Sequence, residues 1–167
     1  MATFHIRPAV LEDEAEVSAL LLRSYSVLLT GAYDGETLRK ALPLIASARP
    51  ELLTSGTYYV AETDNGKMIG VGGWTRTSPT GRNETANNGN IRHFGTDPDH
   101  IGEGVGRALM DRCVAEAASA GLSELNCYST LNGEGFYRAC GFESIEPFEI
   151  ELPENCLFPS IRMTRPL

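Results

Sequence analysis

The chain has 167 residues, 42% of them hydrophobic, which suits one compact domain over residues 1–167 with a sizeable core. Its net charge of −8 and pI near 4.9 exclude the basic surface that non-specific nucleic-acid binding relies on, so no nucleic-acid partner is expected. Cys113, Cys127, Cys140 and Cys156 form no CxxC pair, and His5, His93 and His100 are too scattered to complete a zinc set, so no metal is expected either.

Residues 3–7 read as an opening strand stopped by Pro8. From about Asp13 a helix follows, with Val17, Leu20, Leu21 and Ser24 on one face and acidic residues in its first turn. Asp34 is placed to cap a second helix with a stripe of Leu38, Ala41, Leu42 and Ile45. The proline-bearing stretch 48–56 reads as a connection into sheet. Residues 57–62 and 67–76 are β-rich runs flanking Asp64-Asn65-Gly66, a strong hairpin signal. Residues 77–90 are almost entirely polar and read as a mobile loop before a fourth strand at 91–96. A long helix follows at 107–120, then a strand at 122–128, a short helix at Phe136-Tyr137, and β runs at 148–152 and 160–163. The fold class is therefore α/β with a mixed sheet, antiparallel in its first half and parallel where the long helix links two strands. The opening residues lack a basic region followed by a long apolar core, and no stretch approaches membrane-spanning length; a cytoplasmic protein with no membrane partner is expected.

Residues 91–121 carry the most chemistry. Gly102, Gly104 and Gly106 lie between a β-like run and a helix whose apolar stripe is Val105, Ala108, Leu109, Cys113 and Ala117, with Gly121 placed to end it. Glycines at a helix start let free N–H groups converge on one anion, so a phosphate or pyrophosphate is the natural guest. A ligand-free connection is the plain alternative. A Rossmann site fits poorly, because the spacing is G-x-G-x-G, and a Walker loop is excluded by the missing Gly-Lys-Ser/Thr.

The segment resembles the acyl-CoA loop of the GCN5-related N-acetyltransferases (GNAT), Arg/Gln-x-x-Gly-x-Gly/Ala, with Gly104 and Gly106 in the glycine positions. Residues 129–142, STLNGEGFYRACGF, resemble the family's Phe-Tyr and Gly-Phe signature, and residues 6–22 its first strand and helix. The resemblance implies a mostly antiparallel sheet flanked by helices, with a splay between the fourth and fifth strands. It also implies acetyl-CoA as co-substrate and direct acyl transfer to a primary amine of a small molecule or peptide. A non-catalytic acyl-CoA-binding or regulatory module of the same fold is the alternative. By the same resemblance the thioester lies beside Phe94, Gly95 and Thr96. Gly102, Glu103, Gly104, Val105, Gly106 and Arg107 cradle the pyrophosphate, and Asn132 and Phe136 complete the cofactor-binding set. Phe136, like Phe142, also reads as packing. Tyr137 is the candidate general acid; from local sequence alone it reads as a core tyrosine with a wet hydroxyl, and the surrounding motif turns that reading.

The base is poorly specified. His93 in the fourth strand is the candidate, against a histidine satisfied by its neighbours, and Glu84 is a weaker one. Ile101 stands where the family carries Arg or Gln, which leaves Arg107 or Arg112 to supply charge. Tyr25, Tyr33, Trp74 and the 77–90 loop are candidate walls of the acceptor pocket, each reading equally as packing or solvent-facing, with partial core burial favoured for Trp74. The acidic balance favours a cationic or amine-bearing acceptor, and a homodimer is left open.

Overall fold

Backbone hydrogen bonding in the computed structural model, which describes residues 3–81 and 85–167, joins seven strands into one sheet. In chain order the elements are β1 (Phe4–Pro8), α1 (Glu14–Leu28), α2 (Gly35–Ile45), α3 (Pro50–Leu53), β2 (Tyr58–Thr63), β3 (Met68–Thr75), β4 (Asn88–Thr96), α4 (Val105–Ser119), β5 (Glu124–Ser129), α5 (Glu134–Ala139), β6 (Glu143–Leu152) and β7 (Cys156–Pro166). The sheet order is β1-β2-β3-β4-β5-β7-β6, antiparallel throughout except for the β4–β5 pair, which α4 connects. Among the described residues no helix is long and apolar enough to cross a membrane.

Local chemistry explains the boundaries. Asp34 accepts from the Thr37 amide at 2.8 Å and caps α2. At the β2–β3 turn the Thr63 amide reaches the Lys67 carbonyl at 2.9 Å, with Gly66 at φ +82 supplying the left-handed residue a three-residue hairpin loop needs. Within the stretch expected as a plain connection, Pro50 starts the single turn of α3, a position where its missing N–H costs nothing. Strand β4 begins at Asn88, inside the expected loop, and β6 and β7 run well beyond their apolar cores at 148–152 and 160–163.

Two apolar layers cover the sheet. α1 buries Val17, Leu20, Leu21 and Ser24, the face its spacing predicted. α4 buries Val105, Leu109, Met110, Cys113 and Ala117, with Met110 rather than Ala108 completing its stripe. Close approach of α4 depends on Gly70 in β3, where a Cβ would lie 2.5 Å from Val105 Cγ1. Farther along the same strand, a Cβ on Gly72 would lie 2.6 Å from two ring carbons of Phe94. Gly72→Ala must therefore displace that ring, and thermal or urea denaturation should show a loss of about 1–3 kcal/mol, the usual scale of overpacking.

Candidate active site

Strands β4 and β5 pair in parallel only through Asn88–Glu124, Gly89–Leu125 and Asn90–Asn126, and diverge beyond that point. The divergence coincides with a bulge. Against β3 the register passes from Gly95 opposite Val71 to Arg92 opposite Gly73, so β4 holds one extra residue. His93 sits there at φ +47, a conformation uncommon for any residue but glycine. The carbonyls of the bulge find side-chain partners: Tyr58 Oη donates to His93 O at 2.8 Å and Tyr25 Oη to Phe94 O at 2.7 Å. A bulge bends its strand, which gives a physical cause for β4 leaving β5.

A cavity of about 480 Å³ occupies the cleft. Its walls are the end of α1 (Ser24, Tyr25, Leu28), β4 (Phe94, Gly95, Thr96), the turn before α4 and the region from Thr130 to Tyr137. Asp97 anchors the turn. Its buried carboxylate accepts from the Asp99 amide at 2.9 Å and from Arg23 at 2.8 Å, with Lys67 at 3.7 Å. Burial alone would raise that carboxyl, but these donors outweigh it and hold it below the ordinary carboxylate range. Gly102 and Gly104 both adopt φ +82, and Gly104 caps α4 with no side-chain hydrogen bond. The first-turn amides of Val105, Gly106 and Arg107 have no intrahelical carbonyl to meet and carry the positive end of the helix dipole. Gly106 also lets the helix start lie against Phe136, where a Cβ would fall 3.0 Å from the ring. The site fits a pyrophosphate on both counts, open donors and absent side chains.

A second cavity, of about 190 Å³, lies on the other side of the same gap. Tyr25, Phe94, Thr130 and Tyr137 line both spaces. Tyr137 is buried among Phe94, Phe136 and Phe142, with ring centroids 5.1–6.3 Å apart. Burial, with the Cys127 thiol and Tyr25 phenol nearby, pushes its hydroxyl well above the usual phenol range, so it holds its proton at neutral pH.

The model of the acetyltransferase (GNAT) domain family matches residues 54–144, from the approach to β2 into β6. The chain belongs to the GNAT family. A relative outside the solved structures, mycothiol acetyltransferase of Saccharomonospora viridis, is 27% identical over 143 residues, covering 81% of this chain and 44% of its own length. The chain thus spans less than half of that curated relative. Among solved structures, a GCN5-related N-acetyltransferase from Rhodopseudomonas palustris, titled a class-II aminotransferase, superposes with a TM-score of 0.78 at 22% identity, over 100% of this chain and 98% of its own. PaiA N-acetyltransferase of Thermoplasma acidophilum, solved with coenzyme A, superposes with a TM-score of 0.74 at 16% identity, over 99% of both chains.

On this GNAT fold the sequence-derived residues separate into groups. Phe94, Gly95, Thr96, Gly102, Gly104, Val105, Gly106, Arg107, Asn132, Phe136 and Tyr137 line the larger cavity. Ile101 stands at its wall, 53% exposed, where its apolar side chain offers no donor. Asn132 also donates from Nδ2 to the Leu28 carbonyl at 3.0 Å, tying this wall to α1. Glu103 lies off the wall, its carboxylate 3.1 Å from His100 Nδ1. Arg112 lies outside both cavities, paired with Glu116 and stacked 4.9 Å above the Tyr59 ring. Of the candidate acceptor walls, Tyr25 lines the smaller cavity, with Pro79 of the loop, and the candidate base His93 lies there too. Trp74 is buried in the core. Tyr33 donates to the Pro159 carbonyl at 2.6 Å and accepts from the Leu131 amide at 3.0 Å, a structural tie. Glu84 lies outside the described residues.

Sequence reasoning passed over Arg92 and Arg49, which line the smaller cavity. A charged residue inside the apolar run Ile91-Arg92-His93-Phe94 was the available signal. Burial first, then the positive charges of Arg49 and Arg92, lowers His93 to about 4. Its native form binds fewer protons than the unfolded chain between these values, so its contribution to stability is complete above about pH 6.5 and lost as pH falls toward 4. His93→Asn keeps a residue tolerant of positive φ. Urea titrations at about pH 7.5 and pH 4.5 should show the variant losing about 2–3 kcal/mol less than the parent across that interval.

Proposed function

We propose that the chain is an acyl-CoA-dependent N-acyltransferase that passes acetyl from acetyl-CoA directly to a primary amine. One observation carries this reading: two cavities, one with an open helix N-terminus and one without, meet at Phe94 and Tyr137 in the gap between β4 and β5. A module that only bound acyl-CoA would have no need of the second cavity. The amides of Val105, Gly106 and Arg107 and the turn at Gly102 and Gly104 would hold the pyrophosphate of acetyl-CoA, which supplies a thioester-activated acetyl group when bound. Phe94, Gly95 and Thr96 would run beside the acyl end, where the bulge leaves β4 amides free of the sheet ladder.

Tyr137 holds a proton at Oη and stands at the junction, so it would donate that proton toward sulfur as negative charge develops there. The proton that the amine nitrogen sheds as the amide forms returns to the phenolate, directly or through solvent, so the tyrosine ends the reaction as it began. His93 lines the smaller cavity and its ring is neutral at pH 7, so one ring nitrogen is an acceptor for an amine N–H. With so low a pKa it orients a neutral amine better than it strips a free ammonium, which must arrive deprotonated. Cys127 is not a competing nucleophile, because burial pushes its thiol far above the range of a reactive thiolate. Transfer is therefore direct, in a ternary complex.

Tyr137→Phe keeps the ring and removes the proton. Steady-state assays should find kcat lowered by on the order of a hundredfold with acetyl-CoA affinity nearly unchanged. A kcat within about threefold of the parent would make Tyr137 a packing residue. For the loop, Gly104→Val places a branched side chain at φ +82 beside the open amides. Calorimetry should show coenzyme A affinity reduced by at least about tenfold in a folded variant; an unchanged dissociation constant would remove the loop from the cofactor site.

A further inference from the structure

The smaller cavity is positively charged in a protein of net charge −8. Among the described residues its walls contain Arg49, Arg92 and His93 and no carboxylate. Arg92 is only 8% exposed; its Nη1 donates to Thr75 Oγ1 at 2.9 Å, its Nε is buried without a partner, and among the described residues no carboxylate forms an ion pair with it. Arg49 is about half exposed and has Glu51 at 3.4 Å, itself largely in solvent, so the nearest acidic group is screened by water and already shared. A buried guanidinium left unpaired costs several kcal/mol, and a fold that needed only a spacer at this point would use an apolar residue. Apolar residues such as Ile45, Ile150 and Phe158 form much of the rest of the wall, with Thr130 and three tyrosines among them.

We propose that Arg92, assisted by Arg49, receives a carboxylate on the acceptor, so that the acetylated amine is that of a free amino acid with an apolar side chain. This rests on the acyltransferase reading above and names its substrate class. Arg92 lines the cavity with one Nη not taken by Thr75, and that Nη can meet a carboxylate oxygen in a charge-assisted hydrogen bond, while the closed-off Nε leaves the positive charge unanswered by the protein. The cavity volume of about 190 Å³ equals roughly six waters, the scale of an amino acid rather than of a long polyamine. His93, in the same wall and one residue beyond Arg92, brings a neutral imidazole to the place where the α-amine would lie. A peptide N-terminus has no carboxylate on its first residue and would leave the guanidinium unanswered.

The experiment compares matched acceptors with saturating acetyl-CoA: leucine against isopentylamine, phenylalanine against phenethylamine, and leucine amide as the neutralised form. The amino acids should exceed their decarboxylated partners in kcat/KM by at least about tenfold, the scale of a charged hydrogen bond left unmade. Arg92→Gln should raise KM for the amino acid by on the order of 30-fold and abolish its advantage over the amine, with the acetyl-CoA dissociation constant within about twofold. Arg49→Gln, on the surface and safe for folding, should erode the same advantage by about three- to fivefold. Arg92→Met should melt no lower than the parent, because an uncompensated buried charge has been removed. Equal turnover of both partners, preference for leucine amide or a peptide, or an unchanged preference in both folded arginine variants overturns the carboxylate site while leaving the acyltransferase intact. Failure to bind acetyl-CoA, or to acylate any amine, brings down the underlying reading and this inference with it.

Discussion

Two tyrosine hydroxyls hold the site open. An extra residue in a central strand strands backbone carbonyls in the interior, and each such group must find a donor or the bulge would revert to regular pairing. Tyr58 from β2 and Tyr25 from α1 supply those donors to His93 and Phe94. With the bulge fixed, β4 leaves β5 after three paired residues, the gap forms, and the two cavities meet within it. The two tyrosines come from a helix and a strand and pack into one apolar cluster, so the bend is held from the helix and from the sheet at once. Glycines complete the arrangement on β3, where Gly72 makes room for the Phe94 ring.

Electrostatics are divided between outside and inside. The net charge of −8 is a property of the surface and favours a cationic acceptor, whereas the cavity presents two guanidiniums and a neutral imidazole. Short-range fields in a water-poor cavity outweigh distant surface charges that salt screens beyond about 8–10 Å. The low proton affinity of His93 belongs to the same pattern, since burial and its arginine neighbours both disfavour a second positive charge.

Local chemistry made much of the chain legible. The Asp34 cap, the Asp64-Asn65-Gly66 turn, the buried face of α1 and the glycine turn before α4 each follow from interactions within a few residues, and each was read correctly. The bulge in β4 was not legible, because its partners, Tyr25 and Tyr58, lie 69 and 35 residues away. Nothing in the local sequence marks Asp97 as an anchor, because its partners Arg23 and Lys67 come to it from distant elements. Trp74 packs in the core, the favoured reading, whereas Tyr33 is a brace and no pocket wall, since type alone does not say which face of an element meets the core. α3 is too short to show a period, the outer length of β6 is polar enough to hide one, and Pro159 interrupts the β7 run.

That polarity has a consequence at the rim of the sheet. β6 has β7 on one side only, and it exposes Glu143, Glu146, Glu149 and Glu151 together with Pro147, which has no N–H to offer. An outermost strand is a template on which another chain can grow, and a row of like charges interrupted by a proline is a poor one. Glutamates too exposed to support the core thereby keep the molecule from stacking edge to edge with its own kind.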